Sequence, residues 1–338
     1  MADKLISKED LNTLIDNLAK DIDVFAPVKK GDMYLYSKIS SSKDISLNGK
    51  NTKKPLKEVF FGQSEELISF KTAKKEIEII ESEEDGKKRV IIGSRPCDAA
   101  ALPILDEVFG WDYKDSFYLD KRERTTIISI TCNEVEESCF CTSFGNISPS
   151  SKEGSDLLLT DIGESFYVEV VTDKGDAIIE GNSNLFKKAE NISQKDKRQK
   201  EAVEKVKRRV ELEGLKEKLD INFEDPIWKE ISQKCLGCAA CTYLCPTCHC
   251  FDIQDEMKKS TGKRVRNWDS CAFGHFTQMP GHQPRTEQFQ RFRQRVIHKF
   301  KYYVDKFNKT ACVGCGRCIE NCPVNMDITK VIEKIVSS

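Results

Sequence analysis

The chain has 338 residues, a formal net charge of −1, 15 cysteines, and charged side chains at 32 % of its positions. Neither sign of charge dominates, so composition gives no argument for a nucleic-acid or anionic-membrane partner. The sequence opens without a signal-like apolar run, and no stretch approaches the roughly 18–20 apolar residues of a membrane span. We therefore expect a soluble, cytoplasmic protein.

The first 185 residues are expected to form a mixed α/β domain, and the fold class is α+β. An amphipathic helix is predicted over 8–22, with Ser7 as its N-cap. A helix-like run also follows the motif "RPCD", over 99–109. Strands are predicted over 33–39, 58–61, 76–81, 89–94 and 125–131, with a strand pair over 156–173.

Residues 186–222 are predicted to form a connecting segment, because 193–219 are dense in charge and helix formers. A solvated helix is the favoured interpretation. From 223 to 338 the chain becomes cysteine-rich and helical, and it ends in a short amphipathic helix.

Two cysteine motifs lie in this last region, both of the form C-x2-C-x2-C-x3-C-P. This spacing is the signature of bacterial ferredoxins, in which three closely spaced thiolates wrap one 4Fe–4S cluster and the fourth ligates the other cluster. Gly237, Gly314 and Gly316 allow the backbone to approach closely. Oxidised pairs are the alternative, but disulfides are rare in a reducing compartment.

The crossed-ligand rule assigns each cluster its ligands. The first cluster takes Cys235, Cys238, Cys241 and Cys322, and the second takes Cys312, Cys315, Cys318 and Cys245. Zinc is the rival interpretation, but structural zinc sites favour two separated pairs of ligands. Residues 246–311 separate the motifs, and a long helical insert of this kind resembles the α-helical ferredoxins of multi-subunit enzymes.

A third constellation consists of Cys97, Cys132, Cys139 and Cys141 in the N-terminal domain. Two buried strands that end at the same edge of a sheet would bring these thiols together. Four thiolates suffice for another 4Fe–4S cluster. Buried structural cysteines and a zinc site stay open as alternatives, because C-x6-C-x-C is not a general signature.

From about residue 90 onward, several segments resemble a known family: the iron–sulfur subunit that cytoplasmic sulfhydrogenases (as their β subunit) share with anaerobic sulfite reductases. The segments, in chain order, are "RPCDAAALPILDEVF", "CNEVEESCFCTSFG", "CLGCAACTYLCPTCHCFDI", "RNWDSCAFGHFTQMPGHQPR", "RFRQRVIHKFKY" and "CVGCGRCIENCPVNMDI".

The resemblance implies a chain that passes electrons between a flavoprotein subunit, linked to NAD(P)H, and a hydrogenase or sulfite-reductase-type catalytic subunit. It also implies that Cys97, Cys132, Cys139 and Cys141 hold a cluster. No G-x-G-x-x-G follows a strand, so we expect no flavin or NAD on this chain and no substrate site of its own.

Cys248, Cys250 and Cys271 lie outside these sets. A fourth cluster would need another ligand, such as His249 or His275. The favoured interpretation is that the three cysteines pack beside a cluster and make weak thiol contacts.

The basic segment 285–301 places Phe289, Phe292, Val296 and Phe300 on one helical face. We expect that face in the core and a solvated basic face opposite, with His298 packed rather than liganded. Two alternatives are strand binding through interleaved basic and aromatic residues, and cations that lie near the clusters.

The sequence therefore predicts the electron-transfer subunit of a soluble anaerobic oxidoreductase. The alternatives are a nucleic-acid-processing protein or an oxygen-sensing regulator with structural clusters.

Overall fold

The computed structural model describes residues 3–47, 50–73, 76–81, 86–190 and 192–338. The strands are β1 Lys4–Ser7, β2 Asp23–Lys30, β3 Met33–Ile39, β4 Ser64–Ala73, β5 Glu76–Glu81, β6 Arg89–Ser94, β7 Thr125–Ile130, β8 Leu157–Asp161, β9 Ser165–Val170, β10 Lys187–Lys188, β11 Phe251–Lys258 and β12 Thr261–Trp268. The helices are α1 Lys8–Asp21, α2 Lys57–Phe60, α3 Pro96–Ala100, α4 Leu102–Gly110, α5 Ser116–Glu123, α6 Asp173–Glu180, α7 Ile192–Lys205, α8 Leu215–Ile221, α9 Ile227–Ser232, α10 Ala240–Tyr243, α11 Gln288–Ile297, α12 Tyr303–Phe307, α13 Arg317–Glu320 and α14 Ile328–Ser337.

An eight-stranded sheet forms the N-terminal part, with the order β10-β1-β9-β8-β7-β6-β2-β3. Its centre is parallel, through the pairs β2–β6, β6–β7 and β7–β8. Both sheet faces bury apolar side chains, which explains why β6 and β7 are near-continuous apolar runs. The predicted elements α1, β3, β5, β6 and β7 and the antiparallel pair β8–β9 are confirmed, as is the Ser7 cap, whose side chain accepts from Asp10 N.

The carboxyl ends of β6 and β7 position the N-terminal cysteines. These strands are parallel neighbours, so both end at the same edge of the sheet. Cys97 lies in α3, directly after β6, and Cys132 follows β7 by two residues. The two strand ends therefore bring Cys97 and Cys132 to the same edge of the sheet, as the sequence predicts.

A second, four-stranded antiparallel sheet has the order β11-β12-β4-β5. Its β11–β12 hairpin corrects the expectation of a purely helical insert between the cysteine motifs. Strand β12 pairs on both sides, with β11 and β4, so its backbone groups are satisfied although its sequence is strongly polar.

The strand predicted over 58–61 is wrong, because residues 57–60 form helix α2. Phe60 and Phe61 are fully buried and pack against aromatic rings, with centroid distances of 6.3 Å to Tyr118 and 5.2 Å to Phe109. A short apolar run fits either element, and here tertiary packing decides.

The connecting segment also differs from the single solvated helix that was expected. It forms α7, an irregular stretch and α8, and several of its apolar residues are buried in the largest core. Those residues are Val206, Val210, Leu215 and Leu219. The same core contains residues of the N-terminal part and of the cysteine-rich part, including Phe140 and Phe300. The domain limits at 185 and 222 stay a prediction.

Within the described ranges, none of the helices combines the length and the apolar character needed to cross a membrane.

Candidate iron–sulfur sites

The cysteines of the three predicted sets line three hollows. The first hollow is lined by Cys235, Cys238, Cys241 and Cys322; the second by Cys245, Cys312, Cys315 and Cys318; and the third by Cys97, Cys132, Cys139 and Cys141. Cys318 also borders the first hollow, and Cys315 borders the third. The thiols surround space instead of meeting at a point, and no group of three His, Cys, Asp or Glu in the described ranges is close enough to hold a single metal ion.

Both motifs use the same backbone turn. Gly237 and Ala239 have positive φ in the first motif (66° and 64°), and Gly314 and Gly316 have positive φ in the second (61° and 77°). These residues occupy equivalent positions, each pair flanking the second cysteine of its motif. The left-handed residues reverse the chain tightly, and a short helix, α10 or α13, then carries the third cysteine.

The second motif is pressed against the segment that carries the third set. A Cβ on Gly314 would lie 2.5 Å from the N and Cα atoms of Cys141, and one on Gly316 would lie 2.6 Å from the Ser138 carbonyl oxygen. Phe140 N donates a hydrogen bond of 2.8 Å to Gly314 O. Only glycine permits this approach, so the second and third hollows share a wall.

A buried ion pair spans the same contact. Arg317 donates to both Asp98 carboxylate oxygens (2.8 and 2.7 Å), and the side chains are 1 % and 0 % exposed. Arg317 Nε donates to Thr52 O (2.8 Å), and Tyr36 donates to Asp98 (3.0 Å). Asp98 follows Cys97 and Arg317 precedes Cys318, so the pair fixes α3 against α13.

Burial controls the protonation of the thiols. It raises the pKa of Cys139, Cys141 and Cys312 to about 12, and that of Cys315 to about 11. Without a cation these thiols stay protonated at neutral pH. Iron binding requires thiolates, so bound iron would supply the charge that makes deprotonation favourable.

Lys299 lies against the second hollow and donates to Cys245 Sγ (3.1 Å), Thr247 Oγ1 (2.9 Å) and Ala311 O (2.7 Å). It is 3 % exposed, and no carboxylate pairs with it among the described residues. A buried ammonium without an anion costs several kcal/mol. The Cys245 pKa is lowered by a hydrogen bond from Cys248 and by Lys299 and Arg295.

Arg295 lines both the first and the second hollow. It is 7 % exposed, and its buried Nε has no hydrogen-bond partner in the described part of the chain. Two uncompensated cations beside cysteine-lined hollows fit an anionic, thiolate-ligated cluster, which supplies both charge and sulfur acceptors. The donor set therefore fits iron–sulfur clusters.

The basic segment behaves as predicted on its apolar side, where Phe292, Val296 and Phe300 are buried. The solvated basic face is wrong for Arg293, Arg295 and Lys299, which are all buried. Arg295 and Lys299 are four residues apart and flank the apolar stripe, so they share the face that turns inward. That spacing was the available signal. The cations near the hollows match the alternative in which basic residues lie beside clusters.

The remaining cysteines pack near the hollows. The thiols of Cys250 and Cys271 are hydrogen-bonded to each other, and Cys248 is hydrogen-bonded to Cys245. His275 is exposed and does not join them. His249 lies against His298, with ring centroids 5.4 Å apart, and burial keeps the pKa of His249 near 3 and that of His298 near 4.

Comparison with known proteins agrees with this geometry. A family model described as a 4Fe–4S dicluster domain matches residues 234–326. The sulfhydrogenase 2 subunit beta of Pyrococcus furiosus is 33 % identical over 319 residues, which covers 92 % of each chain. No solved structure matches the chain. The chain is therefore a member of the sulfhydrogenase β-subunit family, an α+β iron–sulfur protein with a C-terminal 4Fe–4S dicluster domain.

Proposed function

We propose that this chain is a three-cluster electron relay, with one 4Fe–4S cluster in each hollow. The observation that carries the proposal is that the three hollows form a series. The first and second share Arg295, Cys318 and Ile328 as lining residues, and the second and third share Gly314 and Cys315. A bound 4Fe–4S cluster supplies reversible one-electron chemistry.

The first hollow is the most exposed of the three. Cys238 is exposed, and the neighbouring Leu236 is 66 % exposed. The second and third hollows each combine two buried and two half-buried cysteines. Because the first and third hollows are the ends of the series, electrons would enter and leave there.

The chain's own residues bind the clusters, exclude water from them and balance their charge. Thiolates of the three sets bind iron, and Phe140 and Ile328 exclude water from the second hollow. Met326 N donates to Cys322 Sγ (3.1 Å), and Asn51 Nδ2 lies 3.7 Å from Cys139 Sγ. Donors of this kind raise the potential of a cluster.

The relative is part of a sulfhydrogenase, and its name supports a multi-subunit assembly for this chain too. We place a flavoprotein subunit that uses NAD(P)H at one end and a catalytic subunit of hydrogenase or sulfite-reductase type at the other. Cytoplasmic location and the absence of flavin from this chain belong to the same proposal.

The test is anaerobic purification followed by iron analysis and a reductive titration monitored by EPR. Three clusters require about 12 iron atoms per chain, and two require about 8. Cys97→Ser is expected to remove one EPR signal and leave two. Full iron and three signals in Cys97→Ser would refute the ligand assignment of the third hollow, and colourless wild-type protein that binds only zinc would refute the relay.

A further inference from the structure

Buried positive charge is distributed unevenly among the three hollows. Lys299 and Arg295 both line the second hollow, whereas Arg295 is the cation shared with the first. The lining of the third hollow includes two carboxylates, Glu134 and Glu136. The hollows therefore differ in the charge that a bound cluster would meet.

The fold holds Lys299 through both its backbone and its side chain. It lies in a π-helical turn, residues 298–302, between α11 and α12. Wider turns of this kind are frequent at functional sites, because they redirect side chains. Ala311 N donates to Lys299 O (2.9 Å), so the lysine is also tied to the residue before Cys312. The backbone and the side-chain ammonium of Lys299 are thus both held against the second hollow.

The third hollow meets cations together with acidic groups. Arg317 lies near Cys97, but its guanidinium is paired with Asp98 at both oxygens. Arg95 is hydrogen-bonded to Cys132, and two carboxylates, Glu134 and Glu136, line the same hollow. Among the described residues, the lining of the second hollow includes Lys299 and Arg295 and no carboxylate.

We infer that Lys299 and Arg295 are potential-setting residues, which hold the reduction potential of a cluster in the second hollow above the potentials of the other two. This inference rests on the proposed function. An uncompensated cation favours the more negative, reduced form of a neighbouring cluster, and it does so strongly where water is excluded. The lining of the second hollow has two such cations and no carboxylate, the first hollow shares one of these cations, and the lining of the third has two carboxylates and neither cation.

The order of potentials has a consequence for the relay. With clusters bound, the first electron to enter the chain would settle in the middle of the series. The protein would then hold one electron until a second arrived. That arrangement suits a chain that connects two-electron chemistry on neighbouring subunits.

The experiment compares midpoint potentials of the full-length, anaerobically purified chain by EPR-monitored titration. The variants are Lys299→Gln, Lys299→Arg and Arg295→Gln. Cys238→Ser and Cys97→Ser identify the signals of the first and third hollows by their loss. Lys301→Gln is the matched control, because it removes an equal charge two residues away that Asp220 and Asp305 already pair (2.6 and 2.8 Å).

In the wild type we expect the second centre to be reduced first. Lys299→Gln should lower the equilibrium constant for reduction of the second centre at least tenfold, which corresponds to about 59 mV for a one-electron couple. It should leave the third centre unchanged. Lys299→Arg should keep the midpoint potential of the second centre close to its wild-type value. Arg295→Gln should lower the first and second centres together, and Lys301→Gln should move neither.

Unchanged midpoints in Lys299→Gln and Arg295→Gln at full iron content would overturn the inference, as would a wild-type second centre that is reduced last. If Lys299→Gln loses its iron, the midpoint potentials of Arg295→Gln and the order in which the wild-type centres are reduced still test the inference. Wild-type protein without iron would refute the proposed function instead, so the two failures are distinguishable.

Discussion

Asp98→Asn tests whether the buried pair with Arg317 holds the two halves of the site together. Both side chains are at most 1 % exposed, and Arg317 reaches Asp98 through two hydrogen bonds. Asparagine keeps the size and one acceptor but removes the charge, and its amide must face a guanidinium N–H. The substitution therefore leaves a buried cation without its anion.

The expected cost follows from general magnitudes. Breaking a buried pair by removing one partner costs about 3–5 kcal/mol. Unfolding entropy is about 2.1 cal/mol/K per residue, so a chain of 338 residues has about 0.7 kcal/mol/K in total. The thermal midpoint should then fall by about 4–7 °C.

The assay is anaerobic thermal unfolding of the iron-loaded chain, followed by circular dichroism at one scan rate. Asp98→Asn combined with Arg317→Gln should cost less than the sum of the two single variants, because no charge is left uncompensated. Glu230→Gln is the control: it breaks an exposed pair with Lys334, whose worth is about 0–1 kcal/mol. A midpoint within about 1 °C of wild type for Asp98→Asn, near the control, would show that the pair does not hold α3 against α13.

Gly314→Ala should lose iron, measured by metal analysis, because its Cβ would lie 2.5 Å from Cys141 backbone atoms. Gly237→Ala is the control, because Gly237 has a similar φ but the atom nearest to its added Cβ is 3.6 Å away. Equal iron losses in the two variants would contradict the shared wall. His249→Asn should reduce acid sensitivity. Burial lowers the His249 pKa to about 3, so the unfolded state binds more protons below about pH 6.5 and this histidine costs up to about 2 kcal/mol of stability between about pH 6.5 and about pH 5. The variant lacks this loss, whereas His298, with its pKa lowered to about 4, contributes a loss in both proteins. Parallel thermal melts of both proteins at these pH values check it, and equal slopes would contradict it. Removal of iron by a chelator should lower the thermal midpoint of the wild type more than that of Lys299→Gln, because the variant has one buried cation fewer to leave uncompensated. An equal loss would count against charge balance by the cluster.

Local pattern was sufficient for several regular elements of the N-terminal part. Residues 33–39 and 89–94 are strands with the predicted bounds, since apolar or alternating runs there end at turns. The crossed sets of motif cysteines line common hollows, as the ferredoxin spacing predicts.

The features that the sequence did not predict depend on contacts between residues that are far apart in the chain. The hairpin 251–268 is polar, and its strand β12 also pairs with β4, which lies far earlier in the chain, at Ser64–Ala73. Arg295 and Lys299 were expected in solvent, since burying a cation is unfavourable unless an anion compensates it. In the proposed function that anion is a cluster in the second hollow, whose ligands Cys245 and Cys312, Cys315 and Cys318 come from two segments that are far apart in the sequence.

The glycine contacts bear on whether the cysteine-rich part could act as a free carrier. Phe140 forms part of the second hollow's wall, yet it belongs to the N-terminal part. Gly314 and Gly316 pack directly on the backbone of 138–141. A fragment that began near 223 would lack that wall and would open the second hollow to water, where the charges of Lys299 and Arg295 are screened. The N-terminal part thus has two roles: it supplies the third set of thiols, and it excludes water from the second hollow, where the proposed relay needs the charges of Lys299 and Arg295 unscreened.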